Sequence, residues 1–66
     1  MNLTINGEKR SFNEGITLQE VLKELSLEGK VMAAAVNMDI VKQDSWSNHK
    51  LENGDKLELL DFVGGG

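Results

Sequence analysis

The sequence predicts a two-layer α+β domain: a small sheet with one helix across one of its faces. Three observations carry this. Residues 1–6, MNLTIN, alternate apolar and polar side chains, and residues 56–63, KLELLDFV, put Leu57 and Leu59 on a common face; a period of two marks half-buried strands. Only TLQEVLKEL, at 17–25, spaces its apolar residues at i, i+3, i+4 and i+7, as one helix face requires. Asn6-Gly7 and the run ENGD at 52–55 are turn signals between apolar segments. A single helix covers only one sheet face, so the other face meets solvent.

The elements follow in order. Met1, Leu3 and Ile5 point to one side of the first strand, and Asn2, Thr4 and Asn6 to the other. Asn6 and Gly7 both tolerate positive φ, so EKRSF returns as a second strand with Phe12 inward. NEG at 13–15 is loop. Thr17 and Glu20 form a T-x-x-E capping box at the helix start. Leu18, Val21, Leu22 and Leu25 make the apolar face, and Gly29 lies just beyond as a stop. VMAAAVN at 31–37 reads as a strand with Met32, Ala34 and Val36 inward. Ile40-Val41 follow a turn at 37–39. KQDSWSNHK, at 42–50, lacks alternation and predicts one helical turn capped by Asp44 or Ser45, with Trp46 and His49 three apart. The last strand sends Leu57 and Leu59 to the core and Glu58, Leu60 and Phe62 to the open face. Leu60 and Phe62 thus read as exposed apolar residues of a docking patch.

Composition narrows the function classes. Sixty-six residues make one domain, here 1–63 with a glycine tail at 64–66. The formal net charge of −4 argues against nucleic acid, which favours basic patches. The longest apolar run, VMAAAV, is too short for a bilayer and the first ten residues lack a signal-peptide core, so the expectation is a soluble cytoplasmic protein. There is no cysteine, hence no disulfide, thiolate nucleophile or cysteine zinc site.

Side-chain chemistry is sparse. His49 is the one histidine; a locally hydrogen-bonded role competes with a ligand or base role. Trp46 reads as a lid over the core or an interface anchor. Ser11, Ser26, Ser45 and Ser47 sit in no nucleophile elbow, and no metal site is expected. What is left is the carboxylate of Gly66. A carboxylate is a poor electrophile until a leaving group is attached, as ATP adenylation by another protein would do. Gly64, Gly65 and Gly66 have no Cβ to obstruct a narrow channel. The tail by itself reads equally as a frayed end or as a reactive terminus.

The Asn-Gly hairpin, the T-x-x-E helix, AVN followed by IV, LENGDKLEL and the terminal FVGGG, in that order, resemble the ubiquitin-like β-grasp sulfur carriers, and among them the ThiS family of thiamin thiazole synthesis. The resemblance spans 1–66. It implies a mixed β-grasp sheet with the first and last strands adjacent and parallel at its centre. It also implies that an E1-like adenylyltransferase (ThiF), using ATP, activates Gly66, that sulfur converts it to a thiocarboxylate, and that a thiazole synthase (ThiG) receives the sulfur. The chain would then be a carrier and co-substrate without a bound cofactor, monomeric when free, and not an enzyme. Gly65 and Gly66 match the family's diglycine and Gly64 its extra glycine. The partner-facing residues would be Leu60 and Phe62, with Ala33 and Ala35 beside them. The molybdopterin synthase small subunit shares fold and tail but ends in a proline-containing motif, whereas this chain has no proline. A ubiquitin-related modifier, or a β-grasp binding module with an incidental glycine end, would also fit.

Overall fold

A computed structural model describes residues 1–61. The expectations for Phe62, Val63 and Gly64 to Gly66 fall outside the described residues. The elements are β1 (Asn2–Ile5), β2 (Glu8–Ser11), α1 (Leu18–Glu24), β3 (Val31–Val36), β4 (Asp39–Val41), a 3₁₀ turn (Gln43–Ser45) and β5 (Lys56–Asp61). They build one five-stranded sheet in the order β2-β1-β5-β3-β4. β1 and β5 are parallel, and the other pairs are antiparallel. This is the mixed β-grasp sheet, with β5 at its centre.

Alternation sorts the strands as expected. Leu3, Ile5, Leu57 and Leu59 are buried and join Leu18, Val21 and Leu22 of α1 in one core, with Met1 and Leu25 packed at its margin. Phe12, just past β2, is buried too, and its N–H donates to the Met1 carbonyl. Ile16 and Leu51 complete the core from the loops on either side of the helix start. The Leu51 N–H donates to the Ile16 carbonyl at 2.9 Å, closing that seam.

The helix begins as the sequence predicts. Thr17 is the N-cap: its hydroxyl accepts from the Glu20 N–H, while the Glu20 carboxylate accepts from the Thr17 N–H. The first helical donors are satisfied from elsewhere in the chain. The Leu18 N–H donates to the His49 carbonyl, and the Gln19 N–H to the Trp46 carbonyl. The helix ends earlier than Gly29. Ser26 takes φ 59°, the Leu27 N–H donates to the Leu22 carbonyl, and the Ser26 N–H to the Lys23 carbonyl. That is a Schellman motif with serine in the left-handed position. Gly29 serves the next turn at φ 75°.

One strand departs from its expected pattern. β3 buries Val31, Ala34 and Val36, whereas Met32 is 52% exposed. The register explains it: Ala33 to Val36 pair regularly with Leu60 to Leu57, but Val31 pairs with Asp61, leaving Met32 as an extra residue. A β-bulge of this kind switches the parity of the strand. Met32 and Ala33 both turn away from the core, and Val31 replaces Met32 inside. The expected helical turn exists as the 3₁₀ turn, with Lys42 at its N-cap position and no side-chain cap, so neither Asp44 nor Ser45 caps it.

Both hairpins use two-residue turns with positive φ at both positions, Asn6-Gly7 (50°, 86°) and Asn37-Met38 (51°, 73°). Methionine is a costly residue there, because its Cβ crowds the backbone in the left-handed region. Met38 is 92% exposed, so its side chain contributes little packing in return. Met38→Gly should therefore stabilise the fold by about 0.5–1 kcal/mol, read as a rise in the urea midpoint at unchanged slope.

Candidate functional site

The open face of the sheet has two halves of different chemistry. On β1 and β2 it is polar: Thr4 pairs with Lys9 and Asn2 with Ser11, whose hydroxyl donates to the Asn2 side chain. On β5, β3 and β4 it is apolar. Leu60 pairs across to Ala33, and Ala35 pairs to both Glu58 and Ile40. Ala33, Ala34 and Ala35 with Ile40, Glu58 and Leu60 line a shallow groove. The methyls of Ala33 and Ala35 keep its floor low, while Leu60 (58% exposed) and Ile40 (74%) stand at its sides. Large apolar groups grouped like this mark an interaction surface more often than a single exposed residue does.

Leu60 thus lies where the alternation of β5 puts it. Ala33 and Ala35 lie beside it, half-buried. Phe62 and the glycines 64–66 are outside the described residues. Ile40 belongs to the patch and was not among the residues the sequence singled out. Its signal was present: a two-residue turn at 37–38 pairs Val36 with Asp39, which sets Ile40 opposite Ala35 on the open face. Met32 borders the same half because of the bulge.

The remaining candidates resolve as structural groups. Trp46 is 4% exposed and its indole N–H donates to the Val41 carbonyl at 2.8 Å, so it is the lid over the core. His49 is half-buried and its backbone carbonyl caps the helix start. The N-terminal end of α1 is occupied by chain carbonyls rather than open to an anion. Among the described residues no group of three or more histidine, aspartate or glutamate side chains could hold a metal ion. No buried side-chain polar atom among them lacks a hydrogen-bond partner.

Comparison with known proteins agrees with this geometry. The ThiS family model matches residues 3–66. The chain is 29% identical over 66 residues to the sulfur carrier protein ThiS of Escherichia coli, covering all of both chains. It is 39% identical over 66 residues to a thiazole synthase of Paramagnetospirillum magneticum, and spans 20% of that protein's length. The crystal structure of the thiamine biosynthesis protein (ThiS) from Geobacter metallireducens superposes with a TM-score of 0.83 at 28% identity, covering both chains completely.

The split between the two faces of β5 is measurable. Leu59→Ala, inside the core, should cost about 2–5 kcal/mol. Leu60→Asp, on the open face, should cost about 1 kcal/mol or less, the span of strand propensity alone. Urea denaturation of the two variants reads the difference, and equal losses would place Leu60 in the core.

Proposed function

Because the chain belongs to the ThiS family, we propose that it is a sulfur carrier for thiazole formation in thiamin biosynthesis, acting through the carboxylate of Gly66. One observation supports this most. β5, the strand that leads into the glycine tail, is the central strand of the sheet and carries Leu60 on the apolar half of the open face. A partner that docks on that half lies beside the strand from which the tail departs.

The chemistry follows from the group available. A terminal carboxyl has a pKa of roughly 3.5 and is ionised at neutral pH, so it attacks rather than accepts. A carboxylate oxygen of Gly66 attacks the α-phosphorus of ATP in the active site of an E1-like adenylyltransferase (ThiF), and pyrophosphate leaves. The acyl adenylate then carries a good leaving group. A sulfide equivalent adds at the acyl carbon, AMP departs, and Gly66 becomes a thiocarboxylate. In a thiazole synthase (ThiG) that sulfur passes to the nascent thiazole. The full-length match of this chain within a thiazole synthase supports that pairing. The adenylating partner follows from the family's chemistry.

The chain supplies no catalytic side chain in this scheme. It is a co-substrate whose domain is recognised and whose tail is threaded. Ordering three glycines opposes binding through lost backbone entropy, and burial of Leu60, Ile40 and the alanine floor offsets it. Phe62, two residues on from Leu60, belongs to the same docking face in this reading. The cytoplasm is the compartment we assign, consistent with a cysteine-free chain.

Intact mass tests the scheme. Untagged protein incubated with the adenylating enzyme, ATP and a sulfur source should gain the mass difference between sulfur and oxygen. An unchanged mass beside an active control carrier would contradict it. Deletion of Gly66 should abolish that gain while leaving the circular dichroism spectrum and melting temperature as they were; unfolding on deletion would make the tail structural.

A further inference from the structure

β1 and β5 lie side by side over only two registered pairs, Thr4 with Lys56 and Ile5 with Leu57. Beyond Ile5 the chain turns away through Asn6-Gly7 into β2, while β5 runs on to Asp61. The N–H and C=O of Leu59 on that side therefore have no strand opposite them. The side chain of Asn6 takes both. Its Oδ1 accepts the Leu59 N–H at 2.8 Å, and its Nδ2 donates to the Leu59 carbonyl at 3.2 Å. Its own backbone N–H donates to the Leu57 carbonyl at 2.9 Å. A carboxamide carries the donor and acceptor of a peptide group, so one side chain supplies the rung that β1 does not.

Few residues could do this. The backbone of position 6 is left-handed, at φ 50°, which asparagine and glycine tolerate best. Glycine would satisfy the turn and leave Leu59 to water. Aspartate would accept from the Leu59 N–H but offer nothing to its carbonyl. The opening turn signal thus has a second job that the hairpin alone does not require.

We infer that Asn6 is a positioning residue for the carrier's tail: by holding the backbone of Leu59 it sets the direction of the strand end at Leu60 and Asp61, from which the chain continues to the tail. The inference rests on the carrier reading above. Gly66 lies seven residues beyond Leu59, a length that spans at most about 24 Å, so the position of the strand end bounds where the carboxylate can reach. Without the carboxamide, the last three residues of β5 are held on the β3 side alone. The strand end samples more directions, and only a fraction of them suits the partner. The apparent affinity falls by that fraction, while the chemistry of correctly bound molecules is unchanged.

The test compares Asn6→Gly with wild type and with Asn37→Gly as a control. Asn37 makes a similar contact at the other end of β5, its Oδ1 accepting the Lys56 N–H at 3.0 Å, and its φ of 51° also suits glycine. Two quantities are measured well below the melting temperature: amide hydrogen exchange of Leu59 by NMR, and the KM and kcat for the carrier in ATP–pyrophosphate exchange by the adenylating enzyme. Asn6→Gly should speed Leu59 exchange at least about tenfold and raise the KM about three- to tenfold, with kcat within about twofold of wild type. Asn37→Gly should leave the KM within about twofold. Unchanged Leu59 exchange overturns the inference, as does an unchanged KM in Asn6→Gly or an equal rise in Asn37→Gly. If the wild-type protein itself is not adenylated, the carrier reading fails and this inference falls with it. Adenylation of wild type with no KM change in the variant removes the inference alone.

Discussion

Everything in this domain depends on β5 being paired on both sides. The strand takes a parallel neighbour in β1 and an antiparallel neighbour in β3, so it is the one element that joins the two halves of the sheet. Leu57, wholly buried, and Leu59 fix its inner face against α1. That leaves its outer face, with Glu58 and Leu60, held in place by a core it does not belong to. A strand in this position is a firm base for whatever follows it in the chain. Its firmness is supplied by burial on one face and by backbone pairing at both edges.

The pairing is not uniform along the strand, and asparagines supply what the neighbouring strands omit. At its start, Asn37 accepts the Lys56 N–H and reaches the Asp55 carboxylate, which itself accepts the Glu52 N–H. Near its end, Asn6 takes both polar groups of Leu59. Each asparagine also sits at positive φ in a two-residue hairpin turn. Turn formation and strand-edge satisfaction are thus combined in the same residues. That economy suits a chain of 66 residues with no disulfide, in which a core of this size leaves little stability in reserve.

Much of this could be read from the sequence, for physical reasons that differ by element. The alternation in 1–6 and 56–61, the Asn6-Gly7 turn and the Thr17–Glu20 capping box are local signals, and the structure has each of them. The exposure of Leu60 followed from counting residues along one strand and faces along one sheet. Met32 departs from the alternation because a bulge depends on how two strands fit together, and neither strand announces it. The αL serine that ends α1 carries a weaker local signal than Gly29, since serine is an uncommon residue for that position. Ile40 was legible in principle through hairpin register, but only after β3 and β4 are paired. The double hydrogen bond of Asn6 to Leu59 joins residues 53 apart in the chain and has no local signature.

In the proposed scheme the apolar half of the open sheet face, and not the helix side, meets the enzymes that load and unload the tail. Chemical-shift mapping of the isotope-labelled protein during titration with the adenylating enzyme tests it most directly. The expected result is that signals of Ala33, Ala35, Ile40 and Leu60 shift or broaden, while those of Gln19, Lys23 and Glu24 on the outer side of α1 do not. Perturbation confined to the helix, with the four sheet residues unmoved, would contradict it.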